Sequence, residues 1–121
     1  MTLKNFLEKE IKDWNPKNFF EYLDDAHRER FDLQYVPRSY KTEAGMIKNM
    51  INEYGAEVTK DFIDLCIQEY KPTKQYPGIN FAFMYSYLRG NVQRVLQERK
   101  KREKKKSNYT HNDLENIEEY L

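Results

Sequence analysis

Cysteine is almost absent from this chain, since Cys66 is the only one among its 121 residues. One cysteine excludes an intramolecular disulfide and a cysteine-based zinc site, and it suits a reducing compartment such as the cytoplasm. Histidine is scarce as well: His27 and His111 lie in different predicted elements, and neither has a second histidine or a cysteine nearby in the sequence. We therefore expect no metal and no cofactor. Cys66 is predicted to be a small buried apolar side chain, and His27 a packed or half-exposed histidine at the edge of the core.

Long apolar runs and glycine motifs are also missing. No stretch approaches the roughly 20 apolar residues of a membrane span, and the opening MTLKNFLEKEIKDW has no apolar run of signal-peptide length. The four glycines, at positions 45, 55, 78 and 90, form neither a phosphate loop nor a dinucleotide-binding fingerprint. Alternating strand patterns do not occur. These absences predict a cytoplasmic, non-enzymatic, all-α protein without membrane contact.

What the sequence does contain is helical periodicity, which predicts a compact bundle of about five helices. Thr2–Trp14 has the spacing of a first helix. Asn15-Pro16 is a start signal for the second, because an acceptor side chain precedes a ring that suits the first turn. Ser39 or Thr42 begins the third helix. Gly55 ends it, since glycine takes the left-handed conformation at no steric cost.

The fourth helix follows Gly55 directly and is the most apolar of the chain, so we expect it at the centre, with Phe62 in the core. A helix–glycine–helix unit is also typical of DNA-reading helix-turn-helix motifs. Here the second helix carries Asp61, Asp64 and Glu69, which would repel phosphates. We therefore interpret the unit as a core hairpin of the bundle.

The last helix is the longest of the predicted arrangement. A loop with two prolines and a glycine, residues 71–78, precedes it. The helix begins at Ile79 or Phe81, and we expect it to continue through Gly90 without a break. Its apolar spacing stops at Leu96, so the remainder is predicted to project into solvent.

Charge is strongly segregated at the end of the chain, although the net charge is only +1. Residues 89–106 hold nine Lys or Arg against two Glu, whereas residues 107–121 hold four acids and neither Lys nor Arg. Helix-forming residues continue to about Lys106. We thus divide the chain into a helical bundle, residues 1–96, and an extension, residues 97–121, that combines a basic helix with a short acidic tail.

Clustered bases neutralise phosphates without reading base edges, so the basic run is interpreted as a contact surface for DNA of any sequence, single-stranded DNA included. The alternative is a solvated helix end whose charge suits the negative end of the helix dipole. Tyr76, Tyr85 and Tyr87 offer stacking faces to single strands, although core packing is the more common role of such tyrosines. The candidate nucleic-acid-binding residues are Arg89, Arg94, Arg99, Lys100, Lys101, Arg102, Lys104, Lys105 and Lys106.

The acidic tail has two interpretations. It can fold back on the basic run and compete with polyanions. It can also dock on a partner protein as a short amphipathic ligand. Its candidate partner-binding residues are Leu114, Ile117, Tyr120 and Leu121.

Residues 40–88, YKTEAGMIKNMINEYGAEVTKDFIDLCIQEYKPTKQYPGINFAFMYSYL, contain a tyrosine–glycine helix end, an Ile-Asp-rich helix and a Tyr-Pro loop. This segment resembles the helical modules of small bacteriophage replication proteins, namely helicase loaders and DnaD-like primosomal modules of phages of low-GC Gram-positive bacteria. The stretch YSYLRGNVQRVL lacks the tryptophan of the DnaD-type Tyr-x-x-x-Ile-x-x-x-Trp signature, and no ATPase motif occurs. The matching positions are Ile47, Ile51, Tyr54, Gly55, Ile63, Asp64, Tyr70, Tyr76 and Pro77.

The resemblance implies a small helical accessory that binds a replicative helicase, DNA, or both. Our first hypothesis is therefore a non-enzymatic, phage-type DNA-replication accessory protein that uses its basic C-terminal helix. The second is a phage-encoded protein-interaction module, an inhibitor or adaptor of a host protein machine, with no nucleic-acid role. Charge-dependent binding of a polyanion by residues 89–106 would indicate the first class. A stoichiometric protein complex that is insensitive to nuclease would indicate the second.

Overall fold

A computed structural model describes residues 9–103 of the chain. These residues form α1 (Pro16–Phe31), α2 (Tyr40–Tyr54), α3 (Ala56–Glu69), α4 (Phe81–Tyr87) and α5, the helical residues 91–103. Of the described residues 72% are helical and none lies in a strand. The all-α prediction is therefore confirmed.

The helices begin where short polar side chains can cap them. The Asn15 side chain accepts a hydrogen bond from the Asn18 amide at 3.0 Å, and the Asn18 side chain accepts one from the Asn15 amide at 3.1 Å. Ser39 Oγ accepts from the Thr42 amide at 3.3 Å, and Asn80 caps α4 in the same way. Each cap satisfies an amide that the first helical turn leaves without a partner. The predicted starts of α1 and α2 are confirmed.

Gly55 is the whole connection between α2 and α3. Its amide donates to the carbonyl of Ile51 at 2.7 Å, and its own carbonyl accepts from the Thr59 amide at 3.1 Å. Gly55 has φ = 92° and ψ = 159°, a region that side chains rarely allow. A one-residue link of this kind lets α2 and α3 pack on each other directly, as expected for a core hairpin.

Helix α3 is the centre of the bundle. It packs against α1, α2, α4 and a short 3₁₀ turn, Ile11–Asp13. Phe62 and Ile63 are fully buried on it, and Phe62 contacts Phe81 of α4 edge-on, with 6.1 Å between ring centroids. The predicted central position of α3 is confirmed. The largest fully buried side chains are Phe19, Phe62, Phe81, Leu23, Ile47, Met50, Ile63 and Met84.

A buried polar network joins α2 to the start of α4. The carboxylate of Glu43, which is fully buried, accepts hydrogen bonds from the Tyr35 hydroxyl and from the Arg38 amide, the latter at 2.9 Å. Tyr35 Oη in turn accepts from the Phe81 amide at 2.8 Å. Burial and the bond to Glu43 raise the pKa of Tyr35 far above its ordinary value, so the hydroxyl remains a donor. The network holds the loop before α2 and the loop before α4 against the core.

His27 performs a similar task between α1 and two loops. Its Nδ1 lies 2.7 Å from the Leu33 carbonyl, and its Nε2 accepts from the Ile79 amide at 3.2 Å. These contacts fit the neutral ring with the proton on Nδ1. The ring is buried, so His27 is packed and not half-exposed, and Gly78 approaches it so closely that a Cβ there would lie 2.5 Å from Nε2.

The helix predicted over Thr2–Trp14 is not α-helical in its described part. Residues 1–8 lie outside the described residues, and from Lys9 onward the chain forms only the 3₁₀ turn Ile11–Asp13. Trp14 has an extended backbone and a buried side chain whose Nε1–H donates to the Lys9 carbonyl at 3.2 Å. Burial of this indole under α1 outweighs the local helical preference, because it removes a large apolar surface from water.

The predicted long last helix is interrupted between α4 and α5. Leu88 leaves the helical region, with φ = −114° and ψ = 14°, and the Asn91 amide bonds back to the Leu88 carbonyl at 2.9 Å. The turn includes Gly90, and glycine is the weakest helix former after proline. The change of direction allows Val92 and Val95 of α5 to pack into the core, where both are buried.

Candidate nucleic-acid interface

Helix α5 presents the predicted basic residues and is attached to α3 along its inner side. Val92 and Val95 are buried, and Leu96 packs partly against the core. The Asn91 side-chain amide donates to Cys66 Sγ of α3 at 3.6 Å. The apolar side of the helix thus ends at Leu96, where the sequence predicted it.

Two of the predicted DNA-binding arginines are bound to carboxylates of α3. Arg94 forms two hydrogen bonds with Glu69, at 2.5 and 2.7 Å. Arg99 donates to Asp61 at 2.5 Å and to Glu57 at 3.0 Å. The bond from Arg94 lowers the pKa of Glu69, and the bond to Asp61 raises the pKa of Arg99, so both pairs are charged at neutral pH.

Arg89 also has an internal contact, but among residues 9–103 it forms no ion pair with a carboxylate. Its guanidinium lies over the ring of Tyr85, 4.2 Å from the centroid, and its Nε donates to the Tyr85 carbonyl at 3.0 Å. A cation over an aromatic face is held electrostatically without being neutralised. Arg89 therefore remains a candidate for phosphate contact at the turn between α4 and α5.

The end of α5 is the most exposed part of the basic run. Lys100, Lys101 and Arg102 are all solvent-exposed, and the structure records no ion pair for them among residues 9–103. Lys104, Lys105 and Lys106 lie outside the described residues. Of the predicted set, the described residues without a carboxylate partner among residues 9–103 are consequently Arg89, Lys100, Lys101 and Arg102.

Positive charge does not surround α5 evenly, although the sequence suggested that it would. A groove of about 560 Å³ runs between α3 and α5, and Lys101 and Arg102 line it on the α5 side. Asp61 and Asp64 line it on the α3 side, and Glu98 contributes a further carboxylate. A phosphate deep in this groove would meet acids as well as bases. A polyanion is therefore better placed at the exposed end of α5, where Lys100, Lys101 and Arg102 all reach solvent.

The acids of α3 hold basic and hydroxyl side chains of α3 itself and of neighbouring helices. Asp64 accepts hydrogen bonds from the Tyr22 hydroxyl and from Lys60 Nζ, the latter at 2.9 Å. Burial, together with the bond to Asp64, raises the pKa of Tyr22 well above its ordinary value. The structure shows that Asp61 and Asp64 make contacts to other helices.

The aromatic residues near α4 divide into two groups. Tyr85 is partly buried and stacks on Phe81 at 6.1 Å, in agreement with the core-packing interpretation. Tyr76 and Tyr87 are 63% and 76% exposed, so core packing was the wrong interpretation for them. Phe83, which sequence reasoning did not select, is also 40% exposed. Its position four residues before Tyr87 is the signal that places both rings on one side of α4.

The remaining reactive side chains have structural roles. Burial raises the pKa of the Cys66 thiol to about 11, so it is protonated and unreactive at neutral pH. Both nitrogens of His27 are engaged with backbone groups. Within residues 9–103 there is no group of three or more side chains that could hold a metal ion.

The candidate partner-binding residues of the tail, Leu114, Ile117, Tyr120 and Leu121, lie outside the described residues. In the part of the chain that is described, no helix has the length and apolar character needed to cross a membrane. No family model, curated protein or solved structure matches this chain. The functional assignment below therefore depends on the geometry of α5 and its surroundings.

Proposed function

We propose that this protein binds nucleic acid without sequence preference through the exposed C-terminal end of α5. The observation that carries the proposal is the exposure of Lys100, Lys101 and Arg102, which follow one another at the end of a helix that is fixed to the bundle. Lysine and arginine contacts to phosphates supply affinity but little sequence information. Three further lysines follow Glu103 in the sequence and add to the same charge.

The ion pairs of Arg94 and Arg99 support this assignment by fixing the direction of α5. Each arginine contacts α3 at two carboxylate oxygens, so the helix is held near both of its halves. A basic segment on a rigid support loses less conformational freedom on binding than a free tail of the same charge. The two arginines therefore act as anchors, and the lysines beyond them act as the contact surface.

The resemblance of residues 40–88 to phage replication modules supports assigning this binding to DNA replication. In that role the protein is a non-enzymatic accessory that holds DNA beside a replicative helicase. The acidic tail then serves either as a competitor of DNA on the lysines or as the segment that docks on the helicase. Its removal distinguishes the two, because only a competitor weakens DNA binding.

The test compares two charge-removing variants of the same helix. In the first, Lys100, Lys101, Lys104 and Lys105 are replaced by Gln. In the second, the matched control, Arg94→Gln and Arg99→Gln remove only arginines that are paired with acids. Binding of each variant to a labelled duplex and a labelled single strand is measured by fluorescence anisotropy over a series of salt concentrations.

We expect the lysine variant to bind more weakly and with a shallower salt dependence, since each lost phosphate contact reduces the log–log slope by about 0.9 on duplex DNA. The arginine variant should lose stability but keep most of the salt dependence. If the intact protein and a variant lacking residues 108–121 both fail to bind either DNA at low salt, the proposal is wrong. The protein-interaction module, with a partner complex that resists nuclease, then takes its place.

A further inference from the structure

Three exposed aromatic side chains lie around the partly buried Tyr70 on the side of the bundle that carries α4. We call this set, Tyr70, Tyr76, Phe83 and Tyr87, the aromatic strip. The Tyr70 and Phe83 rings have centroids 6.4 Å apart, and Phe83 and Tyr87 are 5.2 Å apart. Tyr70 Oη donates to the Tyr76 carbonyl at 2.7 Å, which fixes the loop that carries the fourth ring.

Three members of the strip, Tyr76, Phe83 and Tyr87, are exposed to solvent. Tyr76 and Tyr87 expose most of their surface, and Phe83 exposes 40% although it has no polar group to direct toward water. Neighbouring exposed aromatic rings are typical of interaction sites, because burying them on a ligand releases much apolar surface from water.

The chemistry around the strip is positive. Residues 70–97 contain Lys71, Lys74, Arg89 and Arg94 and no acid at all, although acids make up 20 of the 121 residues. From α1, Arg30 reaches the Tyr70 carbonyl at 3.4 Å and lines a shallow pocket beside Tyr70 together with Lys71. The nearest acid in that pocket, Glu69, is bound to Arg94.

We infer that the aromatic strip binds single-stranded nucleic acid, with bases stacked on its rings and phosphates beside Arg30, Lys71 and Lys74. The inference rests on the proposed function and adds a second contact region and a strand preference to it. Exposed aromatic rings flanked by bases are the combination that single-strand-binding surfaces use, since every base has a face that stacks without regard to sequence.

The ring geometry favours an unpaired strand over a duplex. Neighbouring rings of the strip are tilted by 74° and 45°, so their faces point in different directions. In a duplex the bases are stacked at a rise of about 3.4 Å, so their faces are closed to aromatic side chains and only their edges are reached in the grooves. Only a strand whose bases are free to separate can place them on rings arranged in this way.

The experiment replaces three rings by an aliphatic side chain that keeps apolar surface but cannot stack. The triple variant Tyr76→Leu, Phe83→Leu and Tyr87→Leu is compared with Tyr40→Leu, whose ring is 61% exposed but contacts Phe20 outside the strip. The probes are a labelled oligothymidylate of about 16 nucleotides, within the site size of single-strand-binding domains, and a mixed-sequence duplex. A bromouracil-substituted strand provides a photo-crosslink that is mapped to peptides.

We expect the triple variant to lose at least about tenfold in affinity for the single strand and little for the duplex, because stacking of one base commonly supplies that factor. Tyr40→Leu should bind both probes as the unchanged protein does. Crosslinks should map to the peptides that contain Tyr76, Phe83 or Tyr87. Unchanged circular dichroism of the triple variant shows that the loss does not come from unfolding.

The outcomes separate this inference from the proposed function. If the lysine variant of α5 loses binding to both probes while the triple aromatic variant loses neither, the strip is not a nucleic-acid site and the inference is overturned. If the triple aromatic variant no longer binds the single strand while the lysine variant still binds both probes, the inference about the aromatic strip is supported. The role proposed for α5 is then wrong. If the unchanged protein binds no probe, both proposals are wrong, and the strip becomes a candidate protein-docking surface.

Discussion

Arg99 of α5 donates a hydrogen bond of 2.5 Å to Asp61 of α3, and both side chains are about one-third exposed, at 31% and 28%. The pair joins the most basic helix of the described chain to a strongly acidic surface of its central helix. The charge segregation that is visible along the sequence is thus partly compensated in the folded protein. It also means that the acids of α3 influence any polyanion that approaches α5.

Removal of the acids that hold Arg99 should strengthen DNA binding. In the variant Asp61→Asn with Glu57→Gln, Arg99 becomes available to phosphate, and the repulsion between α3 and DNA decreases. We expect a higher duplex affinity and a salt slope that is steeper by up to about 0.9. Glu10→Gln with Glu29→Gln, which likewise removes two acids but at exposed positions outside α3, is the control for net charge alone. Equal affinities of the two variants would contradict the role given to Asp61 and Glu57.

Phe62→Ala should cost roughly 3–5 kcal/mol of the free energy of unfolding, because it leaves a cavity in the centre of the bundle. Phe62 is fully buried and touches Phe81. Phe83→Ala is the matched control, since the same change on a partly exposed ring should cost about 1 kcal/mol or less. Urea denaturation followed by circular dichroism measures both. A loss below about 1 kcal/mol for Phe62→Ala would show that α3 is not central.

Gly78→Ala should destabilise the protein by about 1–3 kcal/mol, the usual cost of overpacking a filled site. A Cβ at this position would lie 2.5 Å from Nε2 and 2.6 Å from Cε1 of His27, whose ring is held by hydrogen bonds on both sides. Gly45→Ala is the opposite case: no atom lies within 4 Å of the added Cβ, and the residue is inside α2. It should stabilise by roughly 0.5–1 kcal/mol.

A double-mutant cycle identifies the cause of the Gly78 effect. In a His27→Ala background the ring is absent, so Gly78→Ala should cost less than it does in the unchanged protein. Thermal or urea unfolding of the four proteins gives the coupling free energy. Additive costs would mean that the methyl group acts on the backbone of the loop and not on His27.

Stability should decrease in alkali from about the ordinary tyrosine pKa of 10.0 upward. Tyr35 and Tyr22 have raised pKa values in the folded protein, through burial first and hydrogen bonds to Glu43 and Asp64 second. Their contribution is therefore complete below pH 10.0 and is lost as the pH rises above it, because the unfolded chain releases these protons first. For the buried Tyr35 the slope is about 1.4 kcal/mol per pH unit.

The measurement is the free energy of unfolding in urea at several values between about pH 9 and pH 11. The slope against pH should be shallower in Tyr35→Phe and in Tyr22→Phe than in the unchanged protein, whatever their absolute stability. Tyr87→Phe, at an exposed position, should keep the full slope. Identical slopes in all four proteins would show that neither Tyr35 nor Tyr22 governs the alkaline transition.

The sequence by itself determined the helical class and the positions where most helices begin and end. Asn15 before Pro16, Ser39 at the start of α2 and Gly55 at its end are local signals, because a cap or a positive φ depends on residues within one turn. The periodicity of apolar residues also identified α3 as the central helix and Phe62 as a core residue. Of the candidate interface, the sequence located the basic residues of α5 but not their partners.

Only the tertiary structure decided which of those bases are free and which aromatic rings are exposed. Arg94 and Arg99 form ion pairs with acids that lie 25 or more positions earlier in the chain. A local sequence pattern does not predict such a pairing. The turn at Gly90 and the extended backbone at Trp14 likewise follow from apolar packing on α1 and α3. Ion pairs and burial depend on distances between different helices, and the spacing of residues within one helix gives no information about those distances. For the same reason the exposure of Tyr76 and Tyr87 emerges only once the bundle is assembled.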